Sequence, residues 1–342
     1  MRPTACPRRP SLLLGALPFA TLIGLLVGSL VALLVGFVGP GAGATKAASA
    51  AVLMSSGTAG PEASSDVSDP ATAGTKFRVV DHNIEHRSTA LRAVVKQAQR
   101  IHADAITLQE ICWWQSRDVQ RRHPAWTVVF KADEESGWCL RTSTSPFDQL
   151  GGDERKMMGV VAIWTGGGRG SSALLTFANQ LDRSRQQGMA CVTWNAGSAR
   201  RVCSVHLLAA ETRERQLIRT RQAREVHRAT SRWIGRDELV VLAGDFNSQP
   251  YRKALDYIYA FRGRGGFREM TPCTKHVRRD CRESQVTFDS GRTKIDYIFF
   301  SANRMAPTAL RHLKITRTSS DHHMLSGWAY VDAAARGPAP AR

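Results

Sequence analysis

From Phe77 onward the chain alternates short apolar runs with stretches of helical period. FRVVDH at 77–82 predicts a strand, as do 105–108, 159–164, 173–178, 192–194, 202–205, 239–244, 295–300 and 325–331. Ser88 is placed to cap a helix in which Leu91, Val94, Val95, Ala98 and Ile101 share one face. A second helix is expected over 211–233, with Leu217, Val226 and Trp233 among its apolar positions and a very basic outer face. Strands interleaved with helices argue for an α/β layered domain over 77–332. Periodicity does not give the strand order.

The first 76 residues read differently. Arg2, Arg8 and Arg9 precede an apolar run from Leu12 to Val38, and small residues follow. That is the layout of a secretory signal, although the run is long enough to span a bilayer. Residues 1–44 are therefore expected to be a signal peptide or an N-terminal membrane anchor, and both put the remainder outside the cytoplasm. Residues 45–76 hold few large apolar groups and are expected to be a disordered linker; the Ala- and Pro-rich end, 333–342, is expected to be a flexible tail.

Charge adds a second constraint. The net charge is +18; the first 76 residues hold only five of the 47 Lys/Arg and three of the 29 Asp/Glu, leaving +16 on the rest. A field of that sign favours polyanions, either nucleic acid or acidic membrane lipid. Apart from Cys6, the cysteines number six, and an even count outside the cytoplasm suggests disulfides. Sequential pairing is expected. Cys191 and Cys203 lie on two β-like runs joined by a turn, Cys273 and Cys281 bracket a basic loop, and Cys112 and Cys139 remain. The absence of any Cys-x-x-Cys pair argues against zinc.

The residues that suggest chemistry gather at strand ends. Asn83 and Glu85 follow the first strand, Glu110 the second, and His206 ends VCSV. Asp245 and Asn247 follow VVLAG, Asp296 opens a later strand, and Asp321 and His322 precede the last. Hard oxygen donors suit Mg²⁺, and carboxylates with imidazoles suit water activation and phosphate stabilisation. Asn83-Ile84-Glu85, Leu108-Gln109-Glu110, His206-Leu207, GDFN at 244–247, IDYI at 295–298 and SDH at 320–322 resemble, in that order, the endonuclease/exonuclease/phosphatase superfamily. The resemblance covers the whole of 77–332. It implies a DNase I-like four-layer sandwich, two packed mixed β-sheets flanked by helices. It also implies metal ligation by Glu110 with Asn83, Glu85 and Asp321, Mg²⁺ being expected and Mn²⁺ or Ca²⁺ the alternatives. Asp245, with Asn247 beside it, would activate the attacking water. His322, oriented by Asp296, would stabilise phosphate oxygen, and His206 would stand near the leaving group. Asn83, Asn247 and His206 would contact substrate. Two positions depart from the pattern: Met324 stands where Pro is frequent, and Glu85 where some members carry Asp.

A secreted, monomeric phosphodiesterase acting on nucleic acid is the resulting expectation, with no protein partner inferred. The alternatives are a sphingomyelinase-like hydrolase of phospholipid or inositol phosphate, and a non-catalytic polyanion-binding module. Trp113, Trp114 and Trp138 are read as core or as an exposed aromatic rim. Residues 262–264 and 275–282 are read as basic surface loops, in contact with phosphate or simply solvated.

Overall fold

The computed structural model describes residues 74–141, 152–168, 170–182, 184–195, 199–209, 212–271, 281–283, 285–306 and 309–332. They fall within one compact unit, Ser65–Arg342. The signal or anchor expected at 1–44, nearly all of the linker, the tail and Cys273 lie outside the described residues.

Two six-stranded sheets form the centre. The first comprises β1 (Thr75–Asn83), β2 (Ala105–Cys112), β3 (Thr127–Glu135), β4 (Met157–Trp164), β11 (Arg311–Arg317) and β12 (His323–Val331), in the order β11-β12-β1-β2-β4-β3. The second comprises β5 (Ser171–Thr176), β6 (Gly188–Asn195), β7 (Ala199–His206), β8 (Leu239–Asp245), β9 (Phe267–Glu269) and β10 (Asp296–Ser301), in the order β5-β6-β7-β8-β10-β9. Parallel pairs β1/β2 and β7/β8 sit among antiparallel neighbours, so both sheets are mixed. Helices α1 (Ser88–Ile101) and α2 (Trp113–Arg122) cover the outside of the first sheet, and α4 (Arg213–Ile234) covers the second. A short α3 (Gly137–Arg141) carries Cys139. The four-layer α/β sandwich is as expected.

Strand periodicity sorts the side chains into layers. Phe77 and Val79 of β1, Ala105 of β2, Val129 of β3, Val202 of β7, Val241 and Ala243 of β8, and Ile298 and Phe300 of β10 fill the space between the sheets. Their neighbours of the other parity, such as Val80, Ile106 and Leu108, pack outward against α1 and α2. Val240 and Leu242 pack against Ala223 and Val226 of α4.

Several boundaries and contacts differ from the sequence reading. Strand β1 begins at Thr75, ahead of Phe77, because Thr75 and Lys76 pair with Val331 and Tyr330 of β12. Ser88 is the first helical residue and not the cap; Arg87 holds that position, and the Ser88 hydroxyl accepts from Gln115 Nε2 at 3.3 Å. Thr212 caps α4, its hydroxyl accepting from Arg215 N at 3.3 Å. Leu217 lies on the solvent face of α4, because the buried stripe runs through Arg219, Gln222, Ala223 and Val226. Arg282 is no surface arginine: it is buried and donates to Asp256 Oδ1 and to the carbonyls of Pro250, Phe261 and Arg262, clamping that loop from within. Disulfides join Cys112 to Cys139 and Cys191 to Cys203, as expected, and Cys281 is also disulfide-bonded. Trp114 is core, Trp113 is half-buried, and Trp138 is exposed. Among the described residues, no helix is long and apolar enough to cross a membrane.

Candidate active site

The layer between the sheets changes character at one end. Continuing the inward parity past the apolar residues gives Asp81 and Asn83 on β1, Thr107 and Gln109 on β2, and Asp133 on β3. It gives Ser204 and His206 on β7, Asp245 on β8, and Asp296 at the start of β10. Register brings them level: Asn83 lies opposite Gln109, and Asp245 opposite both His206 and Asp296. Strand parity alone therefore converges these groups.

Glu110 is the exception that a bulge repairs. Its parity would turn it outward with Leu108. The register of β2 against β4 shifts between Leu108 and Ile111, and Glu110 has φ 50°. The bulge re-aims its carboxylate, which accepts from Asn83 Nδ2 at 3.0 Å. A second register shift, between Ala132 and Glu134, flanks Asp133. Asn247, with φ 49°, donates its backbone N–H to Asp245 Oδ1 at 2.7 Å and its side-chain amide to Leu207 O at 2.9 Å.

Asp245 Oδ2 is the hub. It lies 3.3 Å from Asn83 Nδ2, 3.6 Å from His206 Nε2 and 3.7 Å from His322 Nε2. His322 Nδ1 meets both oxygens of Asp296 at 3.0 Å. Asp296 is fixed in turn, its N–H donating to Thr287 Oγ1 at 3.1 Å. Burial works against a charge on the His322 imidazole, but Asp296 and then Asp245 outweigh it and push its pKa up to about 10. His322 is thus an imidazolium at neutral pH. Its Nε2–H and Asn83 Nδ2 are both donors, 3.4 Å apart; Asn83 Nδ2 donates to the Asp245 carboxylate, which forms a looser ion pair with His322 at 3.7 Å. Asp321 lies 3.9 Å from His322 Nε2, and burial raises its pKa, with Glu85 and Glu110 adding to the rise against His322.

Glu85 stands at the rim. Arg87 grips both its oxygens at 2.8 and 3.0 Å, which holds its pKa low, and it accepts from Asp321 N at 3.3 Å. Glu110, Asp133, His206, Asp245, Asn247, Asp321 and His322 wall a cleft of about 260 Å³. Asn83 and Asp296 lie behind that wall, Asn83 holding Glu110 and Asp245, and Asp296 holding His322.

Three contributors were not singled out in the sequence. Asp81 is fully buried, accepting from Thr107 Oγ1 at 2.7 Å and Gln109 Nε2 at 3.0 Å. Burial raises its pKa well above the ordinary carboxylate value, with Asp296 and Asp245 adding to the rise against the Thr107 and Gln109 hydrogen bonds. Asp133 is buried beside Lys131 at 3.3 Å; burial raises its pKa to about 6. Phe288 packs on the His322 ring at 4.6 Å. A charged residue at an inward position of an otherwise apolar strand was the available signal for Asp81; Asp133 lay on a strand not predicted.

An acid–imidazole cluster at the open end of a two-sheet sandwich defines a class of protein: hydrolases of phosphate esters on the DNase I-like fold. The chain belongs to the Endonuclease/Exonuclease/phosphatase family, whose profile matches residues 82–322. Solved structures agree in fold. The human Nocturnin catalytic domain with bound sulfate is 14% identical, covering 75% of this chain and 94% of its own at a TM-score of 0.52. D. rerio TDP2 complexed with single strand DNA product is 15% identical, covering 75% and 99% at 0.52. A Bacteroides vulgatus endonuclease/exonuclease/phosphatase gives the same figures as TDP2. No curated protein matches the chain by sequence.

Proposed function

We propose that the chain is a divalent-metal-dependent phosphodiesterase that cleaves nucleic acid outside the cytoplasm. The observation that carries the reading is the grouping of two imidazoles and Asn83 around one oxygen of Asp245, with Glu110 next to Asn83.

The donor set fits a hard divalent cation. Arg87 offsets Glu85 and His322 offsets Asp296, while Glu110, Asp245 and Asp321 face one cleft. The closest acid–imidazole trio is Asp245, Asp296 and His322, but a protonated His322 has no lone pair to give a metal. Glu110 and Asp321 would hold Mg²⁺, with Asn83 positioning Glu110 from behind. Asn83 Oδ1 already accepts from Glu85 N, and the Glu85 carboxylate is occupied by Arg87. When bound, the cation neutralises charge on the phosphate and the departing oxygen.

The chain's own groups divide the remaining work. Asp245, held by the Asn247 N–H, orients the attacking water and takes its proton. His322 presents Nε2–H to a phosphoryl oxygen, and Asp296 keeps that proton on it. His206, across Asp245 from His322, faces the leaving oxygen.

Three observations favour nucleic acid as the substrate. The folded part carries most of the positive charge. Exposed Trp138 stacks on His86 at 5.0 Å, and His86 N–H donates to the Glu110 carbonyl at 2.8 Å, so an aromatic face borders the cleft. TDP2, of the same fold, was solved with single strand DNA product. Two disulfides and the N-terminal apolar run support export.

The test is turnover of plasmid DNA, RNA and sphingomyelin vesicles with Mg²⁺, each with an EDTA control. Metal-dependent cleavage of nucleic acid is expected. Glu110→Gln is expected to lower that activity by about 10²-fold or more; cleavage of sphingomyelin alone would overturn the nuclease reading, and undiminished activity of the variant would remove Glu110 from the site.

A further inference from the structure

A second cleft, of about 300 Å³, adjoins the catalytic one and shares Asn247 and Phe288 with it. The two differ in chemistry. The catalytic cleft is rich in carboxylates, whereas the second has none among the described residues; its polar wall includes Gln216, Arg219, Gln249 and Arg252. Arg219 is only 7% exposed. One terminal nitrogen donates to the Asn247 carbonyl, and Nε has no partner. Burial drives its pKa down to about 10, with Asp245 opposing and Arg252 adding to the fall. A buried guanidinium without a carboxylate partner carries a desolvation penalty that an incoming anion would relieve. Arg252, at the surface, brings a second positive charge to the same wall.

We propose that this cleft binds the backbone phosphate adjacent to the scissile one in a nucleic-acid strand. The inference rests on the phosphodiesterase reading and adds a recognition site to it. The same helix that supplies Gln216 and Arg219 exposes Arg221, Arg224 and Arg228 at three- and four-residue spacing, in one stripe on its outer face. Two adjoining clefts, with Asn247 and Phe288 common to both, suit successive phosphates of one chain better than a single headgroup.

The experiment compares the protein with Arg252→Gln and Arg252→Lys on two substrates in Mg²⁺. One is a short single-stranded oligonucleotide. The other is bis(p-nitrophenyl) phosphate, which has no second phosphate. Arg252→Gln is expected to lower kcat/KM on the oligonucleotide about tenfold, mostly through KM, and to leave the small diester within about twofold. Arg252→Lys should recover most of the loss. The slope of log KM against log salt should fall by roughly 0.7, one phosphate contact on a single strand. Equal losses on both substrates, or none on the oligonucleotide, would overturn the subsite while leaving the phosphodiesterase intact. A wild-type protein that cleaves neither substrate would overturn the parent reading. In a third arm with a water-soluble inositol bisphosphate, a loss confined to that compound would overturn nucleic acid as the occupant.

Discussion

Replacing Asp296 with Asn isolates what holds the charge on His322. The amide oxygen can still accept from Nδ1, so tautomer and ring position are expected to persist while the negative charge goes. In the wild type His322 rises from an ordinary 6.5 to about 10 despite burial. A rise of roughly 3.5 units corresponds to about 5 kcal/mol favouring the imidazolium. Asp296 is the larger of the two principal carboxylates responsible, and the burial that opposes the charge remains in the variant. Asp245 and Asp321 still raise it and burial still lowers it, so the variant imidazole is expected to titrate far enough below 10 to lose most of its charge by pH 8. At pH 8 it would be neutral, and kcat should fall by about 10²–10³-fold, the scale of losing one transition-state donor. At pH 5.5 the imidazolium re-forms, and the deficit should shrink to within about tenfold. The assay is kcat against pH for both proteins on bis(p-nitrophenyl) phosphate, with the His322 ring titrated by NMR. Stability has the same sign. A raised His322 stabilises the fold fully below pH 6.5, and that contribution is lost as pH rises through about 10. The wild-type urea midpoint should carry an alkaline fall that Asp296→Asn lacks. Parallel pH–rate curves, with the variant equally slow at every pH, would refute the electrostatic role and leave Asp296 as a positioning group only.

Two further outcomes are open to measurement. Gly244 has φ 144°, and a Cβ there would stand 2.0 Å from the Val205 carbonyl; Gly244→Ala should destabilise the fold by about 3 kcal/mol or more in urea, and a loss under 1 kcal/mol would contradict the close β7/β8 approach. The Cys191–Cys203 disulfide closes a loop of 12 residues between paired strands; replacing both with Ala should remove about 2–3 kcal/mol and lower Tm by roughly 5–10 °C without changing the pH–rate profile, and an unmoved Tm would count against it.

Much of the fold was legible because buried strands leave a plain apolar signature. LVVLAG and IDYIFF sit within one residue of β8 and β10. What escaped was polar for a reason. TVVFKADEE gives β3, yet Lys131 and Asp133 interrupt the apolar alternation, because Asp133 lines the cleft and Lys131 pairs with it at 3.3 Å. WWQSRDVQRR gives α2 with only Trp114 and Val119 as buried apolar residues, so its helical period is faint. Leu217 was misplaced because α4 buries Gln222 and Glu225 in its stead. Gln222 accepts from Leu208 N at 2.8 Å, and Glu225 accepts from Ala178 N at 2.7 Å, so polar anchors occupy positions that an apolar count skips.

The candidate site follows from the same alternation that builds the core. Counting by twos from Val79 reaches Asp81 and Asn83, from Ala105 reaches Thr107 and Gln109, from Val202 reaches Ser204 and His206, and from Ala243 reaches Asp245. Each strand delivers an apolar plug to the middle of the sandwich and a polar group to one end. A one-residue slip of β1 against β2 would turn Asp81 and Asn83 outward, against α1, and strand two polar groups in an apolar layer. The apolar residues on both faces therefore fix the register that aligns the polar groups. Glu110 breaks the count, and the β2 bulge that restores it costs backbone strain at φ 50°. Strain retained at the one carboxylate that parity alone would misdirect is the strongest physical reason to place Glu110 in the chemistry.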